Sequence, residues 1–255
     1  MKGTFLFLGT GASTGVPMVG CSCSVCTSSF KKNHRLRSSG FLEIGNRSFL
    51  IDVGPDFRKQ FLTYNLSQMD GVIMTHAHYD HSGGLDDLRT LPYLRKKPIP
   101  FLLSLETLEE LYLRFSYLFS TKKKSPFFQF SLLENAIGEK TFLDYSFQYM
   151  SYFQAKTKVT GFRVGSFAYI TDIRKYSLDI LEKLQGVKTL VISSLRAKTS
   201  PVHFSIQEAI NFGESIQAEK IYLTHLAHEV DHKKVESSLP DRVFLAFDGL
   251  KITFE

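Results

Sequence analysis

The sequence is poor in cysteine, and what it has is crowded: three residues in 255, all inside Cys21-Ser22-Cys23-Ser24-Val25-Cys26. An odd number of thiols this close together offers no disulfide framework, because bridged cysteines need a partner at a fixed Cα separation. A reducing compartment is the expectation. Also missing is any apolar run near the roughly 20 residues that span a bilayer. The opening Met1-Lys2-Gly3 and the apolar residues 4–8 superficially resemble a secretory leader. That stretch is shorter than the roughly 7–15 residues of a signal core. It reads as a first strand, and the expected location is the cytoplasm with no membrane partner. No long linker, low-complexity tract or obvious repeat divides the chain, so residues 1–255 are expected to form one domain.

What is present is ordinary for a globular chain. Hydrophobic residues make up 43% and charged residues 22%, which excludes disorder, coiled coil and collagen. Thirty-one Lys and Arg stand against 25 Asp and Glu, a net charge of +6. That excess suits an anionic partner without demanding nucleic acid.

Gly and Pro punctuate short segments. Residues 4–8 are strand-like and run into the flexible loop Gly9-Thr10-Gly11-Ala12-Ser13-Thr14-Gly15. Residues 40–44 and 48–53 predict a hairpin turning at Gly45-Asn46. Gly54-Pro55-Asp56 is expected to cap a short helix running to about residue 64. Strands are expected over 72–75, 141–153, 161–164, 166–171, 188–192, 220–224, 242–247 and 251–254. Helices are expected over 105–118, 177–184 and 205–216, the last with Ser205 and Glu208 in a capping-box pattern. The charge run at residues 122–124 reads as a solvated loop, and the aromatic segment 115–130 around it as a protruding hairpin, a lid or a subunit contact. Strands and helices alternate throughout, which is an α/β arrangement.

The strongest chemical signal is Thr75-His76-Ala77-His78-Tyr79-Asp80-His81. Three imidazoles and a carboxylate in six residues, directly after an apolar strand, are the ligand types that zinc and related divalent ions prefer. A single turning loop can aim such groups at two neighbouring ions. Two other segments repeat the arrangement, because Tyr169-Ile170-Thr171 delivers Asp172 and Tyr222-Leu223-Thr224 delivers His225. Each places a ligand type just past a buried strand, and ligands of α/β sheets gather at the carboxyl ends of strands. Taken alone, Asp172 reads as a helix N-cap; its place in the series favours a ligand.

His76-Ala77-His78-Tyr79-Asp80-His81 resembles the HxHxDH signature of the metallo-β-lactamase superfamily. The likeness extends through Ile51-Asp52-Val53-Gly54-Pro55-Asp56-Phe57-Arg58, Tyr169-Ile170-Thr171-Asp172, Leu223-Thr224-His225-Leu226-Ala227-His228 and Phe247-Asp248-Gly249-Leu250, in the family's order. It implies a four-layer αβ/βα sandwich with metals at one edge. The block from Gly9-Thr10-Gly11 through Pro17 to Cys26 is similar to the PhnP-like cyclic phosphodiesterases of that superfamily. In these the three cysteines and a late histidine, here His228, hold one structural zinc. Three thiolates and an imidazole make a closed tetrahedral set, suited to structure rather than catalysis. The resemblance further implies that one catalytic zinc or manganese takes His76 and His78, that a second takes Asp80, His81 and His225, and that Asp172 bridges them. Hydroxide held at the ions would attack phosphorus. Asp80 and His203 carry over as catalytic residues, His203 contacting the substrate or shuttling a proton.

The chain departs from the family at the histidine expected between the first block and Asp172, since none occurs between His81 and His203. Gln154 stands there, and an amide carbonyl is a weaker ligand for zinc-like ions, so one or two ions are expected in the active site. Ser200 and Phe247 stand where relatives often carry His and Tyr. His232 reads as a surface residue at a helix start. His34, in Lys31-Lys32-Asn33-His34-Arg35-Leu36-Arg37, lies in a stretch that reads as a solvated face or as a contact for substrate phosphate.

The expected function is a metal-dependent phosphodiesterase acting on a small cyclic or nucleotide-like diester. The alternatives are a nuclease acting on RNA or DNA, and a catalytically weakened binding protein on the same fold. A homodimer is compatible with the aromatic segment.

Overall fold

A computed structural model describes residues 2–120 and 124–255. Among the described residues, fourteen strands form two seven-stranded sheets. The first half of the chain supplies β1 (Gly3–Gly9), β2 (Ser39–Ile44), β3 (Arg47–Ile51), β4 (Gly71–Ile73), β5 (Ile99–Ser104) and β6 (Phe128–Leu133). The second supplies β7 (Ile137–Phe142), β8 (Tyr145–Gln154), β9 (Thr157–Val164), β10 (Phe167–Ile170), β11 (Thr189–Ser193), β12 (Lys220–Thr224), β13 (Val243–Leu245) and β14 (Lys251–Phe254). Sheet order is β14-β1-β2-β3-β4-β5-β6 and β13-β12-β11-β10-β9-β8-β7. Each sheet begins as an antiparallel meander and continues parallel, from β3 in the first and from β10 in the second. The two halves are thus built alike although the sequence shows no repeat.

Side chains alternate across the strands and so sort into layers. Phe5 and Phe7 of β1 point between the sheets, where they meet Phe49, Phe147, Phe167 and Tyr169. The intervening Leu6 and Leu8 face the other way, toward helices α1 (Phe57–Thr63), α3 (Leu85–Leu88) and α5 (Leu105–Arg114). On the far side, Ala168, Ile170, Leu190 and Ile192 pack against α6 (Asp179–Lys183) and α7 (Ile206–Ser215). Helix, sheet, sheet and helix give the four-layer αβ/βα sandwich. The short helices α2 (Tyr79–Ser82), α4 (Thr90–Arg95) and α8 (His232–Glu236) complete the chain. No helix among the described residues is long and apolar enough to cross a membrane.

Most local expectations correspond to elements. The hairpin at Gly45 forms, and Ser205 and Glu208 close the capping box of α7. Several differ. Residues 141–153 are not one strand: Leu143 and Asp144, both left-handed, turn the chain between β7 and β8. The helix expected over 105–118 stops at Arg114 and gives way to a 3-10 turn, Ser116–Leu118. Asp56 occupies the N-cap position of α1 but spends its carboxylate on Arg37, accepting from its backbone N–H at 2.8 Å and its guanidinium at 3.1 Å. The described part of 115–130 is anchored to the first sheet, and Ser120 N–H donates to the Lys124 carbonyl at 2.8 Å. Leu118 is fully buried, Phe119 stacks on Phe130 at 5.8 Å, and the segment feeds strand β6. Lys122 and Lys123 lie outside the described residues.

Candidate metal centres

The parallel strands end at one edge of the sandwich, and the ligand types gather there. A residue just past each of β3, β10 and β12 has a left-handed backbone: Asp52 (φ 61°), Asp172 (φ 55°) and His225 (φ 60°). Asp and His tolerate this region better than most residues, and such turns concentrate at functional sites. Each turn drives its side chain inward, and all three are fully buried.

The loop 74–84 closes onto the β3 turn backbone to backbone. Val53 N–H donates to the His81 carbonyl at 2.7 Å, and Gly84 N–H to the Val53 carbonyl at 2.8 Å. A Cβ on Gly54 would overlap the Asp80 carbonyl, so only glycine permits this approach.

Asp52 organises the loop. Its carboxylate accepts from the Thr75 N–H at 2.8 Å and the Thr75 hydroxyl at 2.7 Å, and lies 2.7 Å from His81 Nδ1. The proton therefore sits on His81 Nδ1, leaving Nε2 aimed into the centre. There it stands 3.1 Å from Asp172 Oδ2 and 3.4 Å from Asp80 Oδ2. His225 Nε2 enters from the other sheet, 3.4 Å from both Asp80 Oδ2 and Asp172 Oδ1. The backbone N–H of Asp172 is fixed by Ser193 Oγ at 2.7 Å.

His76 and His78 follow a different path. His76 Nε2 lies 3.0 Å from His78 Nδ1, and His78 Nε2 lies 3.1 Å from Thr157 Oγ1. His76 joins His81 and Asp172 in a convergent donor group, whereas His78 belongs to none among the described residues. His203, from the loop before α7, places Nδ1 3.2 Å from Asp172 Oδ1 and also converges with His225. Gln154, the last residue of β8, donates to Asp172 Oδ1 at 3.1 Å and lies 2.9 Å from His203 Nε2.

Charge in this pocket is self-consistent. Burial alone would push the carboxyls of Asp80 and Asp172 up, but His81 and His225 hold both well below the usual carboxylate range. Burial opposes charge on His81 and His225 too, and the facing carboxylates outweigh it and raise both. His203 is pushed down to about 4, first by burial and then by His225, and stays neutral. Two buried ionised carboxylates thus require positive charge between them. His81 Nε2, fully buried, makes no hydrogen bond despite these neighbours. A ring nitrogen aimed at two carboxylates and a second imidazole, carrying a proton that a divalent ion would displace, completes a set that fits such an ion.

The cysteines form a second cluster at the periphery. Cys21 Sγ and Cys23 Sγ lie 3.3 and 3.5 Å from His228 Nδ1, and the donor atoms of Cys21, Cys23, Cys26 and His228 all fall within 4.8 Å of one another. Backbone N–H groups of Cys26 and Met18 donate to Cys23 and Cys26 sulfurs at 3.4 and 3.3 Å. The Cys26 N–H, with His228 beside it, draws the Cys23 thiol down to about 6, while burial pushes Cys26 up. These donors fit a tetrahedral thiolate-rich ion.

Other candidates fall elsewhere. Arg35, expected on a solvated or phosphate-contacting face, is instead buried. Its guanidinium donates to the Val230 carbonyl at 2.8 Å and the Ala227 carbonyl at 3.4 Å, bracing the loop that carries His228. His34 on the same stretch is exposed, 2.7 Å from the Ser28 carbonyl. His232 does start a helix, but it is fully buried between Phe30 and Phe247 rather than on the surface. Ser200 is buried and accepts only from the Val202 N–H. From the sequence alone Asp52, Thr75 and Ser193 take no role. For Asp52 the usable signal is a fourth acidic or imidazole residue just past a strand.

The chain belongs to the β-lactamase superfamily: residues 47–226 match the family described as the beta-lactamase superfamily domain. Two relatives cover nearly all of it. One is a solved structure titled as a new diphosphatase from the PhnP family, 32% identical, with a TM-score of 0.92 over 100% of this chain and 98% of that one. The other is an octanoyltransferase of Porphyromonas gingivalis, 33% identical over 96% of this chain but only 50% of that protein. The chain thus spans about half the length of this curated relative. Zinc-bound PqqB of Methylobacterium extorquens, 17% identical with a TM-score of 0.73 over 98% of this chain and 99% of that one, shares the fold.

Proposed function

We propose that the chain is a metal-dependent hydrolase of a small phosphodiester, cyclic or nucleotide-like. The observation that carries this reading is the convergence of Asp80, His81, Asp172 and His225 from both sheets on one buried point. These four would hold a zinc or manganese ion there, and His228 with the three cysteines would hold a structural zinc. The 32% likeness to a PhnP-family diphosphatase supports phosphoester chemistry, and the fold shared with zinc-bound PqqB is compatible with zinc. When bound, the active-centre ion supplies Lewis acidity toward phosphoryl oxygen and lowers the pKa of water.

The chain's own residues do the rest. Asp52 fixes the His81 ring so that Nε2 alone faces the centre. Asp172 and Asp80 stay ionised and balance the cationic charge. His203, neutral beside Asp172, offers a ring N–H to a substrate oxygen. Burial of the donors lowers the local dielectric, which strengthens each of these interactions.

A second reading is an acyl-ester hydrolase, favoured only by the name of the octanoyltransferase relative, whose other half this chain does not span. A nuclease is a third. Protein purified without chelator and supplied with Zn²⁺ or Mn²⁺ should hydrolyse bis(p-nitrophenyl) phosphate faster than p-nitrophenyl octanoate or a short RNA. No diester turnover at full metal load, or faster turnover of either other substrate, overturns the proposal.

A further inference from the structure

Gln154 stands where the resemblance expects a metal-binding histidine, and its contacts define a different job. It ends β8 and is fixed by a tight turn, pairing with Thr157 across the left-handed Ala155. Its side chain is 8% exposed. The amide nitrogen Nε2 lies 3.1 Å from Asp172 Oδ1 and 2.9 Å from His203 Nε2. An amide has two N–H donors and one carbonyl acceptor, so contact with a carboxylate identifies which end faces it. Turning the amide over would set its carbonyl against the ionised Asp172. With both N–H groups spent, His203 Nε2 must be the acceptor of the pair. The His203 proton then lies on Nδ1, the nitrogen that converges with Asp172 and His225 on the centre. Nδ1 is buried and stands 3.2 Å from Asp172 Oδ1 without completing a hydrogen bond within the described chain, so it faces the centre.

We infer that Gln154 is a positioning residue rather than a metal ligand: its amide holds His203 in the tautomer that presents Nδ1–H to the substrate. The ligands of the active centre are accordingly drawn from Asp80, His81, Asp172 and His225, with His76 beside His81 and Asp172, and not from Gln154. His78 turns Nε2 to Thr157 and keeps Nδ1 3.0 Å from His76 Nε2, so neither histidine depends on Gln154. The inference rests on the metal-centre reading above but not on the identity of the substrate. Ligation by Gln154 would have to come through Oε1, which is buried and unpartnered, so ligation and positioning make opposite predictions.

The test uses zinc-loaded full chain, counting ions by mass spectrometry and reading histidine tautomers by ¹⁵N NMR of the rings, with His203→Asn assigning the signal. In the unsubstituted protein the His203 ring should carry its proton on Nδ1. Gln154→Leu and, as a second near-isostere, Gln154→Met should keep the ion count unchanged. Both should lose the hydrogen-bonded Nε2 signature and lower diester hydrolysis about tenfold, the scale of an outer-sphere support. Loss of an ion in either variant, or a proton on Nε2 in the unsubstituted protein, overturns the inference. Absence of diester hydrolysis in every form would count against the substrate reading alone, since ion count and tautomer are read without substrate.

Discussion

The two donor clusters differ in how they are built, and the difference separates structure from chemistry. The cysteine cluster draws three ligands from a six-residue loop, sits half-exposed, and has backbone N–H groups as its support. The histidine–aspartate cluster draws its donors from the ends of strands in both sheets and is deeply buried. Carboxylate, hydroxyl and amide partners in a surrounding layer fix it. A closed four-ligand set leaves an ion nothing further to bind, whereas the deep set keeps neutral His203 and Gln154 beside its ligands. The two meet in one segment: His225 serves one and His228 the other, and Leu226 between them is pinned on both sides by Ala12 N–H and the Thr10 carbonyl, at 3.1 and 2.8 Å. The loop after β1, through Thr10 and Ala12, thereby braces the strand end that delivers His225.

The sharpest way to break this contrast is Asp172→Ala. It should remove the active-centre ion, leave the cysteine-bound one, and lower diester hydrolysis by roughly 1000-fold, about 4 kcal/mol of transition-state stabilisation. Ion counting beside a rate assay checks it. Asp52→Asn keeps every proposed ligand but turns an N–H toward His81 Nδ1, so zinc affinity in the deep centre should fall roughly 10–100-fold by competition with a chelator. An unchanged affinity would mean that Asp52 does not orient His81. Cys23→Ser should show the opposite profile in calorimetry and kinetics. One zinc is lost and Tm drops by roughly 6–12 °C, from about 3 kcal/mol at 2–4 °C each, while hydrolysis stays within a few-fold. The smallest effect concerns the stripped protein. Because the Cys26 N–H and His228 depress the Cys23 thiol to about 6, its thiolate persists down to that pH. Alkylation of Cys23 after chelation should rise with a midpoint near pH 6. The same depression makes Cys23 favour the folded state at high pH, a contribution lost as pH falls from about 9 through 6. A midpoint near that of an ordinary thiol would contradict it.

How far the sequence could be read depended on whether the signal was local. The HxHxDH loop, the strand-end Thr-Asp and Thr-His pairs, the Gly45 hairpin and the α7 capping box are all written in neighbouring residues. What stayed hidden depends on contacts between distant segments. Asp52 looks like a residue between a strand and a helix until the 74–84 loop folds onto it. Arg35 looks like one more charge in a basic run until the 227–230 loop supplies carbonyls to bury it against. His232 was placed correctly at a helix start, yet its burial comes from Phe30 and Phe247, some 200 and 15 residues away in sequence. Gln154 was legible as a departure from the family, but its partners on β10 and the loop before α7 were not.

The most direct test of the account is an ion count beside diester hydrolysis in three forms: unsubstituted, Asp172→Ala and Cys23→Ser. The account predicts that Asp172→Ala loses metal from the deep centre and keeps the cysteine-bound ion, that Cys23→Ser loses one ion and keeps the deep centre loaded, and that hydrolysis collapses only in Asp172→Ala. If Cys23→Ser abolishes hydrolysis while keeping the deep ion, or if Asp172→Ala keeps both its ions and its activity, the division between a structural and a chemical centre is wrong.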